Sequence, residues 1–126
     1  MNVLVDTSVW VAHFKQRNEH LADLLEAGMV ACHPHVIVEL ACGAPPNRGD
    51  ILGLLAALER LAFATTDELL SLIERRALHG RGCGFVDVSL LASTLLDGQT
   101  LLWTLDKRLD TAAAGLGRAY RPVLQP

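Results

Sequence analysis

With 126 residues, 51% apolar and 20% charged, the chain suits one compact domain and excludes a disordered polymer. Its formal charge of −3 argues against a general electrostatic affinity for nucleic acid. Three cysteines, Cys32, Cys42 and Cys83, show no pairing motif, no apolar stretch is long enough to cross a bilayer, and the start lacks a signal-peptide pattern, so a cytoplasmic protein with no membrane contact is expected.

Val3, Leu4 and Val5 form a short apolar run that suits a strand buried on both faces of a parallel sheet. It ends at Asp6-Thr7-Ser8, and a helical pattern begins at Val9. Asp6 is therefore expected at the carboxyl end of a central strand, the edge where open α/β sheets bind ligands. Taken alone, a helix-capping role for Asp6, Thr7 or Ser8 explains the same residues.

A short helix over Val9–Phe14 is followed by a second, capped by Asn18 and carrying Leu21, Leu24 and Leu25 as an apolar stripe. Met29 to Ala31 reads as a second strand, and Pro34 opens a helix that Gly43 closes. Glu39 lies in that helix among Val36, Ile37, Val38 and Leu40, where a solvated face is not expected and a buried carboxylate needs a partner or a metal. His33 and His35 read as surface histidines beside the helix start.

Asn47 can cap a helix bearing Ile51, Leu54, Leu55, Leu58 and Leu61, and Ala62 to Ala64 is the candidate third strand. Thr66 is expected to cap the next helix, with Asp67 and Glu68 at the positive end of its dipole and Arg75 and Arg76 at the other. The stretch His79 to Gly84 is glycine-rich but lacks the lysine and hydroxyl of a phosphate-binding loop. A helix from Phe85 to Leu96 places Asp87 in its first turn. Thr100 to Trp103 makes a strand, after which Asp106 repeats the situation of Asp6, and a helix from Lys107 to Ala114 leads to a last short strand near Tyr120 and Val123. This alternation predicts a three-layer α/β/α sandwich around a central parallel sheet, as a single domain over 1–126.

Four carboxylates thus stand in unusual positions: Asp6, Glu39, Asp87 and Asp106. Parallel neighbouring strands would let them converge above one sheet edge, where mutual repulsion calls for a cation. An all-oxygen, highly charged set suits Mg²⁺ or Mn²⁺, not zinc. Such ions activate water against a phosphodiester without a nucleophilic side chain. Thr7, Ser8 and Thr104 can orient the acids or bound water.

The segments Val3 to Trp10, Val38-Glu39-Leu40 with Gly43, Gly84 to Ser93, and Leu102 to Leu109 together resemble PIN-domain ribonucleases, and within them the VapC toxins of toxin–antitoxin modules. The likeness spans nearly the whole chain, and the four motifs are specific together although each is weak alone. It implies a small α/β/α sandwich, Mg²⁺- or Mn²⁺-dependent endonucleolytic RNA cleavage, a cognate VapB-type antitoxin and a homodimer. It also implies that Asp6, Glu39, Asp87 and Asp106 bind the metal, with Thr104 the hydroxyl beside the last acid. Leu105 departs from the more polar residue common there, and Cys83 and Phe85 fall in a variable approach without assignable chemistry.

Two divalent ions would offset the negative balance, and Arg81, Lys107 and Arg108 form a candidate basic rim for RNA phosphates. The competing reading is a non-catalytic interaction module built on apolar helix faces, such as those of Leu24 and Leu25 or Leu54 and Leu58, which also serve as candidate dimer contacts. An aspartyl phosphotransferase is disfavoured because Ser8 stands where that class usually needs a second acid.

Overall fold

A computed structural model describes residues 1–122. Four strands, β1 (Asn2–Val5), β2 (Val30–Cys32), β3 (Glu59–Arg60) and β4 (Thr100–Trp103), pair in parallel in the order β3-β2-β1-β4. Seven helices flank them among the described residues: α1 (Thr7–Lys15), α2 (Glu19–Glu26), α3 (Pro34–Cys42), α4 (Arg48–Ala57), α5 (Thr66–Arg76), α6 (Phe85–Asp97) and α7 (Lys107–Gly115).

β1 is central because Val3, Leu4 and Val5 leave no polar face to expose, and all three are fully buried. Val3 and Leu4 pair with Val30 and Ala31 on one side. Asn2 to Val5 pair with Thr100 to Trp103 on the other. From β1 the chain steps outward to β2 and then β3 before returning across the sheet to β4. The direction therefore reverses at the β1–β4 pair. Right-handed crossovers place α1–α4 on one face and α5–α6 on the other, giving three layers. The carboxyl end of such a switch point opens into a crevice, because the loops leaving the two strands diverge to opposite faces. Asp6 follows β1 and Asp106 follows β4.

Several local expectations shift. The third strand is Glu59–Arg60, not Ala62 to Ala64: α4 stops at Ala57, Leu58 is already extended (ψ 157°), and Leu61 N donates to Cys32 O at 3.1 Å. Two charged residues on this edge strand discourage further pairing, and that charge disguised the strand. Thr65, not Thr66, caps α5, through a box in which Glu68 N donates to Thr65 Oγ1 and Thr65 N to Glu68 Oε1. Asn18 caps α2 as expected, accepting from Leu21 N. Asn47 occupies the cap position of α4 in a left-handed conformation, without a side-chain bond. The last strand reduces to one bridge between Ala119 and Leu102, and Val123 lies outside the described residues. Of the apolar helix faces, Leu24 is in the core, Leu25 and Leu58 are partly buried and Leu54 is exposed.

Candidate active site

Asp6 occupies the N-cap position of α1, yet its side chain makes no capping bond. Its Oδ2 instead accepts from Thr104 Oγ1 at 2.7 Å and Ser8 Oγ at 2.8 Å. Each hydroxyl has one proton, so both are committed to Asp6. Their lone pairs receive backbone N–H groups: Leu105 N donates to Ser8 Oγ at 3.0 Å, and Asp106 N to Thr104 Oγ1 at 3.1 Å. The ladder bond from Asp6 N to Trp103 O (2.9 Å) holds the two strand ends together beneath. A buried carboxylate (7% exposed) is thus oriented from both strands, and no bond of this set uses Oδ1.

The other three acids follow the same rule. Glu39, on α3, accepts from Thr7 Oγ1 at 2.7 Å through Oε1. Asp106 caps α7, with Oδ1 accepting from Arg108 N (2.9 Å) and Leu109 N (3.1 Å). Asp87, in the first turn of α6, accepts from Gly84 N at 3.0 Å through Oδ2. In each acid the donors fall on one oxygen and leave the second out of these bonds. Glu39 corrects an expectation: it is exposed, because α3 buries Val36 and Leu40 while neighbouring Val38 also faces solvent.

The Asp87 carboxyl is held above its ordinary value, first by desolvation and then by the charges of Asp6, Asp106 and Glu39; the Gly84 N–H opposes them. All four acids therefore share one field. No ion pair among the described residues neutralises any of them. Nor are three such side chains gathered tightly enough to enclose an ion as they stand. The donor set fits a hard divalent cation: it is all oxygen, uncompensated, and hydrogen-bonded so as to direct one oxygen per acid.

The basic rim is partly assembled. A Cβ at Gly82 (φ +81°) would lie 2.8 Å from Arg108 Nη1, so glycine both permits the turn and makes room for the arginine. Burial pushes the nearby Cys83 thiol up; Asp87 and Asp106 add to this while Arg81 and Arg108 oppose it. Arg81 and Arg108 therefore lie at the approach to these two acids. Lys107 is exposed at the start of α7.

His33 was misjudged from sequence, and Phe85 was left without an assignment. His33 is fully buried, caps α3 by accepting from His35 N at Nδ1 (3.0 Å), and has an unpartnered Nε2. Phe85 is 65% exposed at the start of α6, where a hydrophobe gains nothing from solvent. No periodicity marked either, since both flank helix starts.

A parallel sheet with Asp6 and Asp106 at its switch point, and Glu39 and Asp87 within the same field, is an α/β arrangement of the nuclease-like kind. The PIN domain family model matches residues 3–115, and the chain belongs to that family. It is 48% identical over 117 residues to Ribonuclease VapC32 of Mycobacterium tuberculosis, in both the CDC 1551/Oshkosh and H37Rv strains, covering 93% of this chain and 94% of the relative. The crystal structure of PAE2754 from Pyrobaculum aerophilum superposes with a TM-score of 0.63 at 20% identity, over 91% of this chain and 87% of that one, and shares the fold.

Proposed function

We propose that this chain is a VapC-type toxin, a Mg²⁺- or Mn²⁺-dependent endoribonuclease acting as one PIN domain. The observation that carries this reading is the unpaired acid cluster at the β1–β4 switch point, with Asp6 aimed by hydroxyls from both strands. Identity of 48% to a ribonuclease supports the reaction class.

Asp6, Glu39, Asp87 and Asp106 would hold the cation through the oxygens their protein donors leave free. When bound, a divalent ion eases deprotonation of the attacking water and offsets charge on the phosphodiester. Thr104 and Ser8 hold the Asp6 carboxylate in one rotamer, and Thr7 does the same for Glu39. Arg81, Lys107 and Arg108 supply positive charge against RNA phosphates at the rim. A non-catalytic module would have no use for four uncompensated carboxylates.

A VapB-type antitoxin covering the site and a homodimer belong to the same proposal. So does residence in the cytoplasm; no helix among the described residues is long and apolar enough to cross a membrane. The test is incubation of the purified protein with total RNA, with Mg²⁺, with Mn²⁺ and with a chelator, followed by mapping of new ends. Discrete internal ends dependent on the ion are expected. Intact RNA under every ion would overturn the reading.

A further inference from the structure

Four aromatic rings run along the site's edge. Phe85, the first residue of α6, leans on His35 with centroids 5.2 Å apart and planes at 57°. His35 meets His33 edge-on at 4.9 Å and 64°, and His33 meets Phe63 at 6.4 Å and 60°. The middle of the string is anchored: His33 is fully buried and joined to the backbone of His35. Burial, then the neighbouring His35, lowers the His33 pKa to about 4, so the string carries no charge from that ring at neutral pH. Its ends are open, with Phe63 63% and Phe85 65% exposed.

The placement of these rings is what matters. His35 and Glu39 are four residues apart on α3, so they share a helix face about one turn apart. Phe85 and Asp87 lie in the same first turn of α6. The ring pair therefore stands at the amino ends of the two helices that carry two of the four acids, on the sheet edge where a scissile phosphate would have to lie. Arg81 and Arg108 flank the same approach, giving the sign of charge that a nucleic-acid backbone requires.

We propose that Phe85, backed by His35, is a stacking platform for an unpaired base of the RNA substrate next to the cleaved phosphate. The proposal rests on the ribonuclease reading and adds a residue role to it: a ring that takes a base free to leave a helix and stack. Phe85 would be a positioning residue, fixing the strand while the acids act. A protein side chain is the other occupant, and the substrate-side readouts below separate it from an RNA base.

The test is steady-state cleavage of a short single-stranded RNA by the parent protein and by Phe85→Ala, Phe85→Trp, His35→Ala and Leu70→Ala. Leu70 is a similarly exposed hydrophobe (57%) on α5 and serves as the surface control. Loss of one stacked base predicts a fall of about ten- to hundredfold in kcat/KM for Phe85→Ala, carried mainly by KM. Phe85→Trp should stay within about threefold of the parent, and Leu70→Ala should be unchanged. A substrate made abasic at one position beside the cut should lower parent activity as the alanine variant does, with no further loss when the two are combined. Unaltered kcat/KM for Phe85→Ala, with intact far-UV circular dichroism, overturns the platform while leaving the ribonuclease reading in place. So does a fall confined to self-association in light scattering, which would assign the face to protein. A parent protein that cuts no RNA fails the underlying reading instead.

Discussion

At the amino ends of the strands, Glu59 accepts from Asn2 Nδ2 at 2.8 Å, and Asp97 closes the turn into β4 by accepting from Gln99 N and Thr100 Oγ1. Each acid there has its own neutral donor. At the carboxyl ends of the same strands, Asp6, Glu39, Asp87 and Asp106 also receive neutral donors, but they act on one another as well. Hydrogen bonding alone is common to both edges, so it does not mark a site. What separates them is the concentration of unpaired charge at the switch point, an arrangement that costs stability unless a cation joins it.

The largest effects come from removing that concentration. Asp6→Asn keeps an oxygen that can accept from Ser8 and Thr104 but loses the charge, and RNA cleavage should fall by about a thousandfold or more. Chelation of the parent should give the same loss and readdition of Mg²⁺ or Mn²⁺ should reverse it. Full activity of Asp6→Asn, measured by end mapping, would make the two edges equivalent.

A smaller effect is expected from the hydroxyls. Thr104→Val retains shape but removes one of the two donors to Asp6 Oδ2 and the acceptor for Asp106 N. Activity should drop about ten- to hundredfold, as is usual when the support of a metal-binding group is lost. Thermal stability should also fall, by the equivalent of about 1 kcal/mol. Thr104→Ser should restore most of both. If Thr104→Val loses stability with no change in kinetics, the hydroxyl serves the fold alone.

Much of this edge was legible in the sequence because it is written as punctuation. An apolar run ending in an acid and hydroxyls gave β1 and Asp6, and its recurrence gave β4 and Asp106. Capping chemistry was harder, since Asp6 and Asp106 look alike in sequence. Only Asp106 turns its side chain to the helix amides, whereas the hydroxyls of Ser8, two residues on, and Thr104, 98 residues away, pull Asp6 away. Glu39 was placed correctly on its helix but not in its environment, because a run of apolar letters does not say which of them face water. The edge strand β3 and the buried His33 escaped notice for the same cause: a charged strand and a polar core residue both run against the hydrophobic pattern.

Stability gives a finer measure of the contrast. The raised folded value of Asp87 means that the folded chain binds more protons than the unfolded chain between the ordinary carboxylate range and that raised value. The stability linked to this group is thus present at low pH and is lost as pH rises through the window. Asp87→Asn keeps an acceptor for Gly84 N and removes the repulsion, so the metal-free variant should melt higher than the parent at neutral pH. Solvent screening keeps the gain small, on the order of a degree in Tm, and it should fade as pH falls toward about 4. Saturating divalent ion should reverse the order, because the parent then gains binding energy that the variant lacks.

The smallest effect belongs to the opposite edge. Glu59→Gln leaves an oxygen to accept from Asn2 and removes one negative charge at an exposed position. Stability should stay within about 0.5 kcal/mol of the parent, and RNA cleavage should be unchanged. Charge removal at Asp6 and at Glu59 is the same chemical edit at the two ends of one sheet, so the pair isolates position from charge. If Glu59→Gln also slowed cleavage substantially at fixed salt, net charge rather than a local acid cluster would govern the reaction, and the contrast between the edges would collapse. A null result beside an inactive Asp6→Asn assigns the chemistry to the β1–β4 switch point alone.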